Sequence, residues 1–154
     1  MTLEILQNEM ITAMKNGDKF TKTTISGLIA QIKKAAIDKG CRDNITEEFV
    51  NAELLKAKKQ AQESIDGAVA AGRENLIEEY SKQYDIINLY APQLITNSVE
   101  IMNIIKAASD TVLTKKEYMK FFNMNYRGKV DMKVVSEVVD YYIDYNCNAK
   151  VVPK

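Results

Sequence analysis

The sequence predicts an all-α protein built as two helical parts. Three observations carry this. Apolar residues recur at three- and four-residue steps through nearly every segment; glycines and a proline fall where those stripes stop; and no run alternates with the period of two that a half-buried strand requires.

Leu3, Leu6, Met10 and Met14 share one face, predicting a first helix from about Thr2 to Lys15 that Asn16-Gly17 brings to a left-handed stop. Asp18 caps a second helix, whose stripe is Ile25, Leu28, Ile29, Ile32 and Ala36. Lys33, Lys34 and Lys39 lie toward the end that favours cations, and Gly40 closes it. Asn44-Ile45-Thr46-Glu47 reads as a capping box for a long third helix. Val50, Leu54, Ala57, Ala61, Ile65 and Ala68 line it, small enough on average for a neighbour to approach closely, and Gly72 stops it. A fourth helix carries Leu76, Tyr80, Tyr84 and Ile87 and ends at Leu89-Tyr90-Ala91-Pro92, because the residue before a proline is pushed out of helical geometry.

The boundary between the parts is expected there, giving an N-terminal helical domain over 1–92 and a small C-terminal domain of three short helices over 93–147. Thr96-Asn97-Ser98 supplies caps for a helix through Ile101, Ile104, Ile105 and Ala108. Thr114-Lys115-Lys116-Glu117 is a second capping box, ahead of Tyr118, Phe121 and Phe122. Residues 123–130, with Gly128, have no stripe and are expected to form a loop. Asp131 then caps a last helix carrying Val134, Val135, Val138, Tyr141 and Tyr145. Paired valines favour strands, yet a period of two would bury Lys133 or Glu137 with them, so the helix is the better reading. A flexible tail is expected over 148–154.

Composition narrows the chemistry. With 154 residues and 46% hydrophobic content the chain can build its own core, and 21 basic side chains balance 21 acidic ones, so no long-range field draws the whole molecule to nucleic acid or an anionic membrane. The absence of histidine removes the usual general base and the commonest zinc ligand. Cys41 and Cys147 form no C-x-x-C pair and have no histidine partner, and no glycine-rich loop precedes a helix to cradle phosphates. Glu47-Glu48 and Glu78-Glu79 point about 100° apart on a helix, so neither pair converges on one site. The expectation is a non-enzymatic protein with no metal, no cofactor and no membrane span. Reduced thiols and the lack of a visible leader point to a soluble protein in the cytoplasm.

The punctuation also resembles that of a known family. Met14-Lys15-Asn16-Gly17-Asp18-Lys19, Lys59-Gln60 with Glu63-Ser64-Ile65, Ala71-Gly72-Arg73-Glu74-Asn75-Leu76, Tyr90-Ala91-Pro92-Gln93-Leu94, and Arg127-Gly128-Lys129-Val130-Asp131 followed by Lys133-Val134-Val135 stand in order along the chain. They resemble the YqeY family, whose two helical parts are similar to the tail of the tRNA-dependent amidotransferase subunit GatB. The chain looks like a divergent member: Ser26 and Ala61 stand where that family usually has arginines, and Phe121-Phe122-Asn123-Met124 and Met132 replace a small-residue and proline pattern and a glycine. In GatB the amidation chemistry lies in a separate domain, while the tail is associated with positioning charged tRNA. The resemblance therefore implies a non-catalytic module that binds tRNA or docks on a tRNA-handling complex, and a transamidase label would describe the family's company.

Two cationic groups could meet phosphate: Lys56, Lys58 and Lys59 with Arg73 across a helix end, and Arg127, Lys129 and Lys133 around the entrance to the last helix, whose free N–H groups favour anions. Both also read as ordinary solvated faces, and Arg73 could instead pair with Glu74 or Glu78. Tyr141, Tyr142 and Tyr145 crowd more than one face of a short helix, which marks them as candidates for a protein interface, with core packing as the plainer reading. The alternative function is thus an adaptor that keeps the scaffold and takes another protein as partner.

Overall fold

The computed structural model describes residues 1–108 and 110–149. Among them are seven helices: α1 (Leu3–Lys15), α2 (Lys19–Asp38), α3 (Glu47–Ala70), α4 (Glu74–Tyr90), α5 (Ser98–Ala108), α6 (Lys115–Asn125) and α7 (Met132–Ala149). The fold is all-α. Among the described residues, the one sheet-like feature is an isolated parallel bridge between Ile95 and Val130.

Four helices, α1, α2, α3 and α6, start where a side chain replaces a missing backbone partner, whereas α4 begins at Arg73 with no side-chain cap. Thr2 accepts from the Ile5 N–H, Asp18 from Thr21 and Thr114 from Glu117, whose carboxylate reaches back to the Thr114 N–H at 2.8 Å. For α3 the cap is Thr46, accepting from Phe49, and not Asn44, so the box expected from Asn44 to Glu47 does not form. Two threonine- or asparagine-led patterns overlap there, and the cap nearer the stripe is used. Gly72 ends α3 with φ of 64°, a conformation that costs a side-chain-bearing residue about 1–2 kcal/mol.

Two further boundaries differ from expectation. α6 continues through Asn123, Met124 and Asn125, where the Asn125 amide donates to the Phe121 carbonyl, so the loop before α7 is 126–131. α7 continues through Ala149, placing 148 and 149 in the helix and not in a tail, since neither glycine nor proline precedes them. The rest of the expected tail, 150–154, lies outside the described residues. On α1, Ala13 is buried and Met14 is 59% exposed, so the buried edge of the stripe turns toward Ala13.

The chain divides into two compact units, Met1–Pro92 and Gln93 onward. In the first, α1 packs on α2, α3 on α4, and α2 touches both α3 and α4. Leu6, Ile25, Leu28, Ile29, Ile32, Val50, Leu54, Ala57, Ile87 and Ala91 fill the space between them. In the second, α7 packs on α5 and on α6 around Ile101, Ile105, Tyr118, Phe122, Val130, Val135, Val138 and Val139. Tyr118 and Phe122 are fully buried, which makes that small core aromatic.

The caps make stability depend on acid. Hydrogen bonds from the Thr21 hydroxyl and N–H hold the Asp18 carboxyl below its ordinary value, and the Thr114 N–H and hydroxyl do the same for Glu117. A carboxyl whose pKa is lowered on folding contributes stability above its unfolded pKa and loses it as pH falls through the folded value. Replacing both by their amides, Asp18→Asn with Glu117→Gln, is expected to flatten the loss of stability as pH falls from about 5 through the carboxylate range near 4 and below. Urea midpoints at neutral and acid pH measure it; an unchanged acid slope would contradict it.

Candidate functional site

The first cationic group does not converge. Lys56 Nζ lies 3.8 Å from Glu53, Lys59 Nζ 3.8 Å from Glu63, and the Lys58 ammonium sits 5.8 Å from the centroid of the Tyr84 ring on α4. These cations are engaged within their own unit. Arg73 lies past the end of α3, about 16 Å along the helix axis from Lys59 at the usual rise per residue, so it does not join them. Neither Glu74 nor Glu78 pairs with it; Glu78 is held by Lys82 at 2.7 Å, which lowers its carboxyl pKa.

Arg127, Lys129 and Lys133 behave differently. All three are exposed, and none forms an ion pair among the described residues. Lys133 lies in the first turn of α7, and the loop that carries Arg127 and Lys129 has a defined shape: Lys129 N–H donates to the Tyr126 carbonyl at 2.9 Å, Ile95 N–H to the Lys129 carbonyl at 2.8 Å, and Asp131 N–H to the Ile95 carbonyl at 3.1 Å. Gly128 makes the turn possible at φ of 73°. The helix entrance itself is not wholly open to an anion, because the Asp131 carboxylate accepts the Lys133 N–H at 2.9 Å. Positive charge here comes from the side chains.

The three tyrosines part company. Tyr142 is half-buried, meeting Tyr118 edge-to-face at 6.1 Å, and belongs to the core. Tyr141 and Tyr145 are each 64% exposed and stack on one another at 6.3 Å with 18° between ring planes. Ser26 is exposed on α2, while Ala61 packs against the first core. An arginine side chain at 26 would have had solvent to reach into.

Three features escaped the sequence reading. Glu53 is only 3% exposed, held at 3.2 Å by Lys39, whose ammonium also lies 4.9 Å from the centroid of the Phe49 ring. A stripe position flanked by Val50 and Leu54 hinted at it, but no local pattern names Lys39 as the partner. A cleft of about 720 Å³ opens between α2, α3 and α4, with Gln31, Gln60, Ser64, Glu79 and Gln83 on its walls. Gln31 donates to Gln60 at 3.3 Å, and Ser64 donates to its own helix. In the second unit a groove of about 400 Å³ runs between α5 and α7 past Val99, Met102, Val138 and Tyr141.

No group of three or more acidic, cysteine or histidine side chains among the described residues could hold a metal ion. Cys41 is half-buried and Cys147 exposed, both as free thiols. No helix among the described residues is long and apolar enough to cross a membrane.

Comparison with known proteins gives three curated relatives, each named "Altered inheritance of mitochondria protein 41, mitochondrial". The one from Eremothecium gossypii is 33% identical over 62% of this chain and 51% of its own length. That from Candida glabrata is 27% identical over 62% of this chain and 52% of its own, and that from Kluyveromyces lactis 27% identical over 84% and 69%. The chain thus spans about half the length of the first two. Their names overturn the cytoplasmic expectation: the compartment they carry is the mitochondrion, and neither reduced thiols nor the lack of a visible leader decides between the two. The sequence profile described as "Yqey-like protein" matches residues 3–143, so nearly all of the helical structure falls within it, and the chain belongs to the YqeY family.

Proposed function

We propose that this chain is a non-catalytic module that holds tRNA, or docks on a tRNA-handling complex, through Arg127, Lys129 and Lys133. The observation that supports it is that none of the three forms an ion pair among the described residues, with Arg127 and Lys129 on a loop whose backbone is pinned to Ile95 and Lys133 in the first turn of α7. A backbone already held leaves only the side chains to be ordered on phosphate contact, and that contact releases counterions. The resemblance to the tail of GatB supplies the class of nucleic acid.

The test is tRNA retention between roughly 50 and 200 mM salt. Neutralising Arg127, Lys129 and Lys133 together is expected to lower the salt slope by about 2–3, one unit per lost contact. Neutralising Lys56 and Lys59 is expected to change it little, since both already face carboxylates. Equal retention by every variant would end this reading.

A protein-facing adaptor is the second reading, favoured by the stacked and exposed Tyr141 and Tyr145. Interfaces are enriched in tyrosine, which offers large contact area at low entropic cost.

A further inference from the structure

We propose that the α5–α7 face of the second unit pairs with the same face of a second copy of this chain about a two-fold axis. The proposal rests on the protein-facing reading and names the partner. The groove between α5 and α7 has an apolar floor of Met102 and Val138. Beside it stand Val99, 67% exposed, and Tyr141, 64% exposed, with Tyr145 stacked on Tyr141 one turn further along. These are the side chains that a dry interface covers and that an isolated surface rarely gathers.

What covers them is indicated by charge. Lys106 on α5 and Glu137 on α7 line the same groove, both are exposed, and neither forms an ion pair among the described residues. A partner of one sign would satisfy one of them and repel the other. A two-fold axis satisfies both, because each residue then meets its counterpart twice: Lys106 of one copy against Glu137 of the other, and the reverse. The apolar ridges of Val99 and Tyr141 in each copy supply the bulk that the other's groove accommodates. A formal net charge of zero removes the long-range repulsion that keeps many proteins apart. RNA has no use for such a face, since it carries no net positive charge.

The face is small. α5 is 11 residues long, or about 16 Å, and two adjacent helices span about 20 Å, which is less than a permanent dimer covers. The pairing is weak and reversible, as small interfaces are.

Sedimentation velocity over a concentration series of the full chain tests it through a charge exchange. Lys106→Glu alone places two like pairs across the axis, and Glu137→Lys alone does the same, so each variant is expected to self-associate at least ten-fold more weakly than the parent. An equimolar mixture of the two single variants restores both opposite pairs and is expected to associate as the parent does. The double variant, Lys106→Glu with Glu137→Lys, is expected to recover self-association too. Both residues are exposed, and recovery in the mixture shows that each single variant is folded. A parent chain that stays monomeric to about 1 mM, single variants that associate like the parent, or a mixture that does not recover would each overturn the proposal. If the parent stays monomeric while Tyr141→Ala abolishes capture of a different protein, the dimer is rejected and the adaptor reading stands.

Discussion

Phe122→Ala is expected to unfold the second unit while leaving the first folded. Phe122 is fully buried among Ile101, Ile105, Tyr118 and the valines of α7, and it meets Phe121 edge-to-face at 5.5 Å and Tyr126 at 5.6 Å. Truncating a buried phenylalanine costs about 3–5 kcal/mol in lost burial and in the cavity left behind. A core in a segment this short rarely supplies more than about 3–5 kcal/mol in total, so one substitution matches the whole reserve. The first unit has a separate cluster around Leu6, Ile32 and Leu54 that shares no member with it. Backbone amide spectra are the direct readout: signals from residues beyond Gln93 should collapse toward unfolded positions while those from α1 to α4 stay dispersed. Simultaneous loss of both sets would show that the two units do not fold independently.

The second large effect concerns Glu53. Its side chain is almost wholly removed from water, with one oxygen 3.2 Å from Lys39 and the other, which makes no hydrogen bond, 3.8 Å from Lys56. A buried carboxylate is tolerated only while its cations are in place. Replacing Lys39 and Lys56 together by methionine keeps most of the stem packing and removes both charges. It is expected to cost about 3–5 kcal/mol, the usual penalty for stranding a buried ion. Adding Glu53→Met to that double variant should recover most of the loss, because an apolar side chain of similar length needs no partner among Val50, Leu54 and Ala57. Urea unfolding of the parent, double and triple variants decides it: a triple variant no more stable than the double would mean that the carboxylate itself is not the source of the penalty.

These effects show which part of the molecule was legible from residues in order. Helix starts and stops are written in short-range chemistry, so Thr114 with Glu117, and Gly72, could be read directly. Where two local patterns overlap, as at Asn44 and Thr46, local chemistry is degenerate and only the packing of Phe49 and Val50 selects between them. The valines of α7 were legible as a helix because the alternative buried a charge. The site was legible only as a roster of cations. Whether Lys58 is free or lies over Tyr84 depends on how α3 crosses α4, and whether Glu53 is exposed depends on where α2 ends. Neither is encoded at a fixed spacing. Lys106 and Glu137, thirty-one positions apart, became neighbours of one groove only through the packing of α5 on α7.

The bridge between Ile95 and Val130 also orders events in time. It ties the opening of the second unit to a segment thirty-five residues later, and α7, which closes that core, follows it. During synthesis the first unit can complete its cluster once Ala91 has emerged, whereas Ile101, Tyr118 and Phe122 must wait for Val130 and the valines beyond it. Until then Tyr118 and Phe122 lack the valines that bury them in the folded unit. The parallel pairing at Ile95 therefore needs residues that the chain supplies only after α5 and α6 are made.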